Sequence, residues 1–123
     1  MGFLRADGMP PANASGIVEE ENASLQIIES SSRNAGLYLY VEKINISVFK
    51  AAVGGNGILT IQTDDADWMW SIDVDSVKDF SVDWGEAGVK VSDLVNEGLQ
   101  AILSGADTQA SVSVGITAHY DRR

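Results

Sequence analysis

Short runs in which apolar and polar residues alternate constrain this chain more than any other feature of its sequence. In one run the apolar face consists of Trp68, Trp70, Ile72 and Val74, and the opposite face of Met69, Ser71, Asp73 and Asp75. A second run alternates between Val112, Val114, Ile116 and Ala118 on one face and Ser111, Ser113, Gly115 and Thr117 on the other. A period of two residues is typical of a β-strand with one buried face. Both runs therefore predict half-buried strands.

Further candidate strands lie between clusters of turn-forming residues. They are residues 24–29, 37–49, 58–63 and 77–84, separated by loops such as SSSRNAG and AAVGGNG. Seven or eight short strands with little helix favour a β-sandwich or barrel. The chain of 123 residues has the usual size of one domain.

The apolar phase changes within residues 37–49. Leu37, Leu39 and Val41 share one face, whereas Ile44, Ile46 and Val48 share the opposite phase. A slip of one residue predicts a β-bulge near Glu42 and Lys43. The alternative is a continuous strand that is buried on both faces.

Residues 92–103 are ambiguous between helix and strand. Their apolar residues fall near helical spacing, and Ser92 or Asp93 could cap a helix. Gly98 in the middle would cost such a helix about 1 kcal/mol. We therefore favour a turn or single helical turn over 92–97, followed by a strand from Leu99 to Leu103.

Residues 1–23 differ from the rest of the chain, because glycine, proline and asparagine interrupt them and no period emerges. We predict an extended N-terminal arm over 1–23 that packs on a neighbouring protomer or a larger assembly, and a β-sandwich domain over 24–123. The alternative is a leader without function.

Charge and composition exclude several classes of function. The chain has no cysteine, which removes disulfides and cysteine-based metal sites, and its formal net charge is −10. An acidic chain without a basic patch is a poor match for nucleic acid or an anionic membrane. We expect no membrane span or signal peptide, synthesis in a host cytoplasm, and a partner that is neutral, basic or a sugar.

Candidate catalytic and metal-binding residues are sparse. The aspartates at 64, 65, 67, 73 and 75 could supply oxygen ligands for calcium, but they do not follow the EF-hand spacing, and the sequence leaves calcium open. His119 is the single histidine, and its phase predicts a surface position. With no nucleophile motif and no phosphate loop, we expect no enzyme, no cofactor and no bound metal.

The aromatic residues allow two interpretations. Trp68 and Trp70 share a face with Ile72 and Val74, which favours core packing over a sugar-stacking platform. Tyr38 and Tyr40 lie on the face opposite Leu37 and Leu39, where they would be more exposed. Tyrosines of this kind are typical of interfaces.

The order of these features resembles a known family from about residue 37 to 120. LYLYVEKINISVF leads to LTIQ, then to WSIDVDSVKDFSVDW, GVKVSDLVNEGLQAILSG and the closing SVSVGITAHY. This order resembles the small jelly-roll or Ig-like β-sandwich proteins that decorate, or cement, the capsids of tailed phages. The resemblance implies an all-β, jelly-roll-like sandwich without catalytic residues to transfer.

The resemblance also implies partners and a location. It implies a homotrimer that binds the outer surface of a phage head, with the major capsid protein or another virion protein as partner. In this interpretation the partner-binding residues are Phe3, Leu4, Arg5, Met9, Ile17, Val18, Tyr38 and Tyr40. The alternative function is a carbohydrate-binding or host-adhesion module on a virion or cell surface.

Overall fold

A computed structural model describes residues 12–19, 24–29, 36–52, 57–105 and 110–122 of the chain. These residues form two antiparallel sheets that pack face to face, and none of them is helical. The strands are β1 (Ala14–Val18), β2 (Ser24–Ile28), β3 (Tyr38–Lys50), β4 (Ile58–Thr63), β5 (Met69–Asp73), β6 (Lys78–Asp83), β7 (Val89–Lys90), β8 (Leu99–Ser104) and β9 (Ser111–Asp121). The predicted all-β sandwich is confirmed.

The strand order is that of a jelly roll. One sheet, here called sheet A, has the order β1-β9-β3-β6 with β7 also beside β3, and sheet B has the order β2-β8-β4-β5. The pairs β4/β5, β3/β6, β2/β8 and β1/β9 nest outward from the β4–β5 turn and fall alternately in sheet B and sheet A. A long hairpin wrapped in this way is the jelly-roll topology, which decides between the two strand orders that the sequence left open.

The core lies between the sheets, where the inward faces of the strands meet. Its central members are fully or almost fully buried: Leu39, Val41, Ile44, Ile46, Val48, Leu59, Ile61, Leu99, Leu103, Val112, Val114, Ile116 and Tyr120. The inward residues of β9 are the set that period-two alternation predicted. Burial of apolar surface in a core of this kind contributes most of the favourable free energy of folding.

The predicted bulge is present in β3. Its register with β9 shifts between Val41 and Lys43, so that Glu42 is the additional residue. Residues before and after this point therefore reach the core in opposite phases, as a bulge requires. The alternative of a continuous strand is wrong.

The ambiguous segment is not a helix. Residues 93–96 form a series of bends, and the strand β8 begins at Leu99. Gly98 explains the boundary, because a Cβ atom there would lie 2.5 Å from the carbonyl oxygen of Ile28 and 2.5 Å from Asp64 Oδ2. This close approach of β2 and the β4–β5 loop fixes the backbone of the segment.

Part of the predicted arm belongs to the sandwich. Ala14–Val18 pair with β9 from Ile116 to Val112, and Val18 is buried in the core. Residues 1–11 and 20–23 lie outside the described residues. Any arm separate from the sandwich is therefore confined to residues before Ala12.

Two glycine substitutions test this account of the backbone. Gly98→Ala should lower the free energy of unfolding, because the added methyl group collides with a carbonyl oxygen and a carboxylate. Gly115→Ala is the matched control in the middle of β9, where a Cβ atom would meet only Asn45 at 3.8 Å or more. That change should instead stabilise the chain by about 0.4–1 kcal/mol, since alanine restricts the unfolded state. Urea unfolding of both variants measures the two effects, and a destabilised Gly115→Ala would contradict this account.

Candidate functional site

The sequence-predicted partner residues occupy different environments. Phe3, Leu4, Arg5 and Met9 lie outside the described residues. Ile17 is 52% exposed on the outer face of β1. Val18 points into the core, where it cannot contact a partner, so its assignment as a surface anchor is corrected.

Tyr38 and Tyr40 lie half-buried on the outer face of sheet A, and each has a partner within the chain. The ammonium group of Lys90 lies 3.9 Å from the centroid of the Tyr38 ring, a cation–π contact. The Tyr40 ring stacks on the imidazole of His119 with centroids 5.3 Å apart. Both rings are therefore held in fixed orientations, and their role in partner binding stays a prediction.

His119 is not a surface residue, contrary to the sequence-based prediction. It does lie on the outer face of β9, but it is only 1% exposed. Its Nδ1 lies 2.7 Å from Oε2 of Glu42, the bulge residue, and Tyr40 covers one face of the ring. Strand phase gave the correct face of the sheet, but the bulge and the stacked tyrosine bury the imidazole. A substrate could not reach it in this position.

The tryptophans pair with other aromatic residues where the two sheets meet at one edge. Trp70 of β5 in sheet B stacks on Phe80 of β6 in sheet A, with centroids 5.9 Å apart. Trp68 meets Trp84 edge to face at 5.8 Å. Trp68, Trp70 and Trp84 all pack against the buried core. The core interpretation of Trp68 and Trp70 is confirmed.

Three aspartates of the acidic stretch that the sequence singled out make separate local contacts. Asp73 forms a 2.9 Å ion pair with Lys78, and that hydrogen bond is the main reason why the pKa of Asp73 lies below its usual value. Asp75 accepts a hydrogen bond from the backbone N–H of Gly57. Asp64 accepts one from Gln26 at 2.7 Å. These three carboxylates stabilise turns and loops.

The remaining aspartates join a residue that sequence reasoning missed. Carboxylate oxygens of Asp65, Asp67 and Glu97 all lie within 4.8 Å of one another, and Glu97 is buried. Burial raises the pKa of Glu97 above its usual value, and Asp65 raises it further through a hydrogen bond and charge repulsion. Oxygen atoms at this spacing are able to share a proton or a hard cation. Only the 92–98 loop, about thirty residues further along the chain, brings Glu97 to the aspartates.

Ser92 connects this carboxylate cluster to its surroundings. Its hydroxyl donates to Asp67 Oδ2 at 3.0 Å and accepts from the backbone N–H of Leu94. Beside it lies an open depression of about 410 Å³, lined by Asp67, Trp68 and residues 90–93. The depression thus has an aromatic wall and an acidic rim.

The hydroxyl of Tyr120 lies buried beneath the same loop. It donates to the carbonyl oxygen of Glu97 at 2.6 Å. Burial, with Asp64 and Glu97 nearby, raises the pKa of Tyr120 to about 12, so this hydroxyl remains a donor at neutral pH. The loop is therefore attached to the core strand β9.

The described residues define a jelly-roll β-sandwich, and a solved chain shares this fold over most of its length. No protein-family model and no curated protein matches the chain. A solved chain from the acid-stable capsid structure of Helicobacter pylori bacteriophage KHP30 aligns with a TM-score of 0.52 and 10% identity, over 93% of this chain and 90% of that one. At this identity the likeness shows the fold alone.

Two other solved virus structures align less closely. Chains from tomato aspermy virus and from the extra small virus of the prawn Macrobrachium rosenbergii give TM-scores of 0.39 and 0.38 at 9% and 11% identity. The alignments cover 88% and 94% of this chain, and 76% and 81% of those chains. Scores below 0.5 carry no argument about function. No helix in the described part of the chain is long and apolar enough to cross a membrane.

The buried pair of His119 and Glu42 gives a prediction about stability. His119→Leu alone should cost about 1–3 kcal/mol, because the buried Glu42 carboxyl group loses its hydrogen bond to the imidazole. The double variant Glu42→Leu, His119→Leu should be more stable than this single variant, since apolar groups then replace both partners of the buried hydrogen bond. Lys78→Ala, which breaks an exposed pair, should change stability by less than about 1 kcal/mol. Urea unfolding measures all three, and a double variant less stable than His119→Leu would contradict the prediction.

Glu97 gives a prediction about pH. The pKa of Glu97 is raised above its ordinary value of 4.5. The stability that the protonated carboxyl group contributes is therefore fully present below pH 4.5, and it is lost as the pH rises through the folded-state pKa. Glu97→Gln imitates the protonated group at every pH, so it should raise the free energy of unfolding at pH 7 and change it little near pH 4. Glu86→Gln, at an exposed position, is the control. An equal effect of Glu97→Gln at both pH values, measured by urea unfolding, would count against the cluster.

Proposed function

We propose that this chain is a non-enzymatic virion structural protein, specifically a decoration or cement protein that binds the outer surface of a phage head and stabilises it. The observation that carries the proposal is the jelly-roll fold, which is shared over almost the whole length of a chain from a phage capsid structure. The order of strands in the sequence supports the same class by resemblance. The location is the virion, after synthesis in a host cytoplasm.

The distribution of side chains is consistent with a role in binding. The single histidine is buried in a hydrogen bond with Glu42, and the aspartates between residues 64 and 75 stabilise turns and loops or share the cluster with Glu97. Reinforcing a shell requires only that surface be buried across its joints. A stable interface of this kind buries about 1,200–2,000 Å² in total.

The arm and the sandwich would contribute to this interface together. In the proposal, residues 1–11 extend from β1 with Phe3, Leu4 and Met9 as apolar anchors and Arg5 as an ion-pair partner. Ile17 continues this surface on the sandwich, where it is exposed. The assembly is a homotrimer, and the partner is the major capsid protein or another virion protein.

The decisive experiment locates the chain in particles. Mass spectrometry and electron cryo-microscopy of purified heads of the encoding virus should find the chain on the outer surface. Heads assembled without it should lose their DNA at a lower temperature, and adding purified chain should reverse this loss of stability. Absence of the chain from purified particles would refute the proposal.

The oligomeric state is a separate expectation. Light scattering of the purified chain should give about three times 13.1 kDa. A monomer at every concentration would refute the trimer while leaving the virion location open.

Removing the arm gives a prediction about binding. A chain that begins at residue 12 keeps β1, so its unfolding transition should match that of the full chain. It should bind heads at least tenfold more weakly, because the proposed anchors are gone. Removing residues 1–20 is not an equivalent test, since it deletes β1 and with it the buried Val18. Equal binding by the full chain and the chain from residue 12 would show that the arm has no such role.

A further inference from the structure

One end of the sandwich holds two adjacent apolar side chains in solvent. Leu94 and Val95 are 53% and 44% exposed. The backbone around them is fixed, because the N–H of Leu94 donates to Ser92 Oγ at 3.0 Å and the N–H of Asn96 donates to the carbonyl oxygen of Leu37 at 2.7 Å. Their exposure follows from this fixed backbone, and neighbouring exposed apolar residues are typical of interaction sites.

The far side of the same loop is also anchored. Tyr120 holds the carbonyl oxygen of Glu97, and the N–H of Asp64 donates to the carbonyl oxygen of Gly98 at 3.2 Å. The loop is therefore attached to β9 and to the end of β4. A partner that binds here would lose little loop entropy, because the surface is already ordered.

The depression beside Leu94 has features that suit a basic side chain. Trp68 forms one wall, and Asp67 and Asp93 lie on its rim. A guanidinium group can lie over an indole ring while it donates to carboxylates. Lys90, the one basic residue of the rim, is drawn toward the ring of Tyr38 and lies 3.8 Å from Asp93.

Charge selects the type of partner. Residues 64–68 and 90–98 contain five carboxylates, Asp64, Asp65, Asp67, Asp93 and Glu97, and one basic group, Lys90. The same end of a second copy would bring five further carboxylates against these five, so two acidic ends would repel each other, and contacts within the proposed trimer would have to lie elsewhere. A segment with arginine or lysine beside aliphatic residues matches both the charge and the exposed leucine and valine.

We propose that this end of the sandwich, which we call the acidic end and define as residues 64–68 and 90–98, docks a basic, aliphatic segment of a partner protein. An arginine of the partner occupies the depression against Trp68, and an aliphatic side chain covers Leu94 and Val95. The proposal rests on the proposed virion function, for which it names the type of surface that the chain binds on the head.

The test uses the isotopically labelled full chain and the synthetic peptide acetyl-Arg-Leu-Arg-Leu-Arg-amide as probe. In two-dimensional NMR the peptide should shift the amides of residues 64–68 and 90–98 in a saturable manner. Binding should weaken as salt is added, since rim charges are screened. The same peptide with glutamate in place of arginine should produce no saturable shift.

Matched variants assign the contacts. Asp93→Asn and the double change Leu94→Ser, Val95→Ser should each weaken peptide binding at least fivefold. Glu19→Gln removes one negative charge, as Asp93→Asn does, and Phe49→Ser removes an apolar side chain that is 53% exposed. Both controls lie toward the opposite end of the sandwich, beyond the pairing of Val18 and Val48 with Val112, and should leave binding unchanged.

Three outcomes would overturn the proposal. The first is shifts that are scattered over the surface, and the second is equal binding by the variants and the unchanged chain. The third is a titration in which a neutral disaccharide such as maltose shifts these amides and the peptide does not, which would assign the acidic end to a saccharide.

The two proposals fail separately. If the chain is found on heads but Asp93→Asn and the Leu94, Val95 double variant bind heads normally, the docking surface is wrong and the virion function stands. If the peptide binds as described but particles lack the chain, the virion function is wrong and the docking surface stands.

Discussion

The pairing of β3 with β9 is the interaction on which the rest of the structure depends. These are the two longest strands, and their ladder runs from Tyr38 opposite Asp121 to Lys50 opposite Ser111. β9 also binds β1, and β3 also binds β6 and β7, so every other strand of sheet A is attached to this pair. The bulge at Glu42 lets one strand present apolar residues to the core on both sides of a change of phase. It also places a carboxylate beside His119.

Much of the fold could be predicted because alternation is a direct consequence of burying one face of a sheet. Alternation located β5 and β9, and the break in phase located the bulge within β3. Residues 92–98 were harder, because a loop that crosses between the sheets has no period of its own. Their conformation is set by the close approach at Gly98, which depends on β2 and the β4–β5 loop. Strand order was likewise open, since many pairings satisfy the same alternation.

The candidate site could be predicted only in part. Asp65 and Asp67 stood out as neighbours in sequence, but Glu97 joins them only through the folded path of the chain. Alternation placed His119 on the correct face of β9 but predicted that it is exposed. It is buried because the ring of Tyr40 stacks on it, and alternation along one strand carries no information about such a neighbour. The aspartates between 64 and 67 marked one part of the acidic end, but the pair of aliphatic residues Leu94 and Val95, set between Asp93 and Glu97, was not recognised. Two apolar residues in a loop are too few to show a period, so the sequence does not predict whether they are buried or exposed.

The nested order of the strands has a consequence for how the chain folds. Each sheet has one inner strand that is synthesised late, β9 in sheet A and β8 in sheet B. Ala14 can pair with Ile116 only after β9 has been made. Folding that depends on such distant contacts is slow compared with folding through local contacts. A nascent chain cannot complete either sheet until its C-terminal quarter has left the ribosome. Surfaces that depend on both sheets, such as the acidic end, therefore form only after translation is nearly complete.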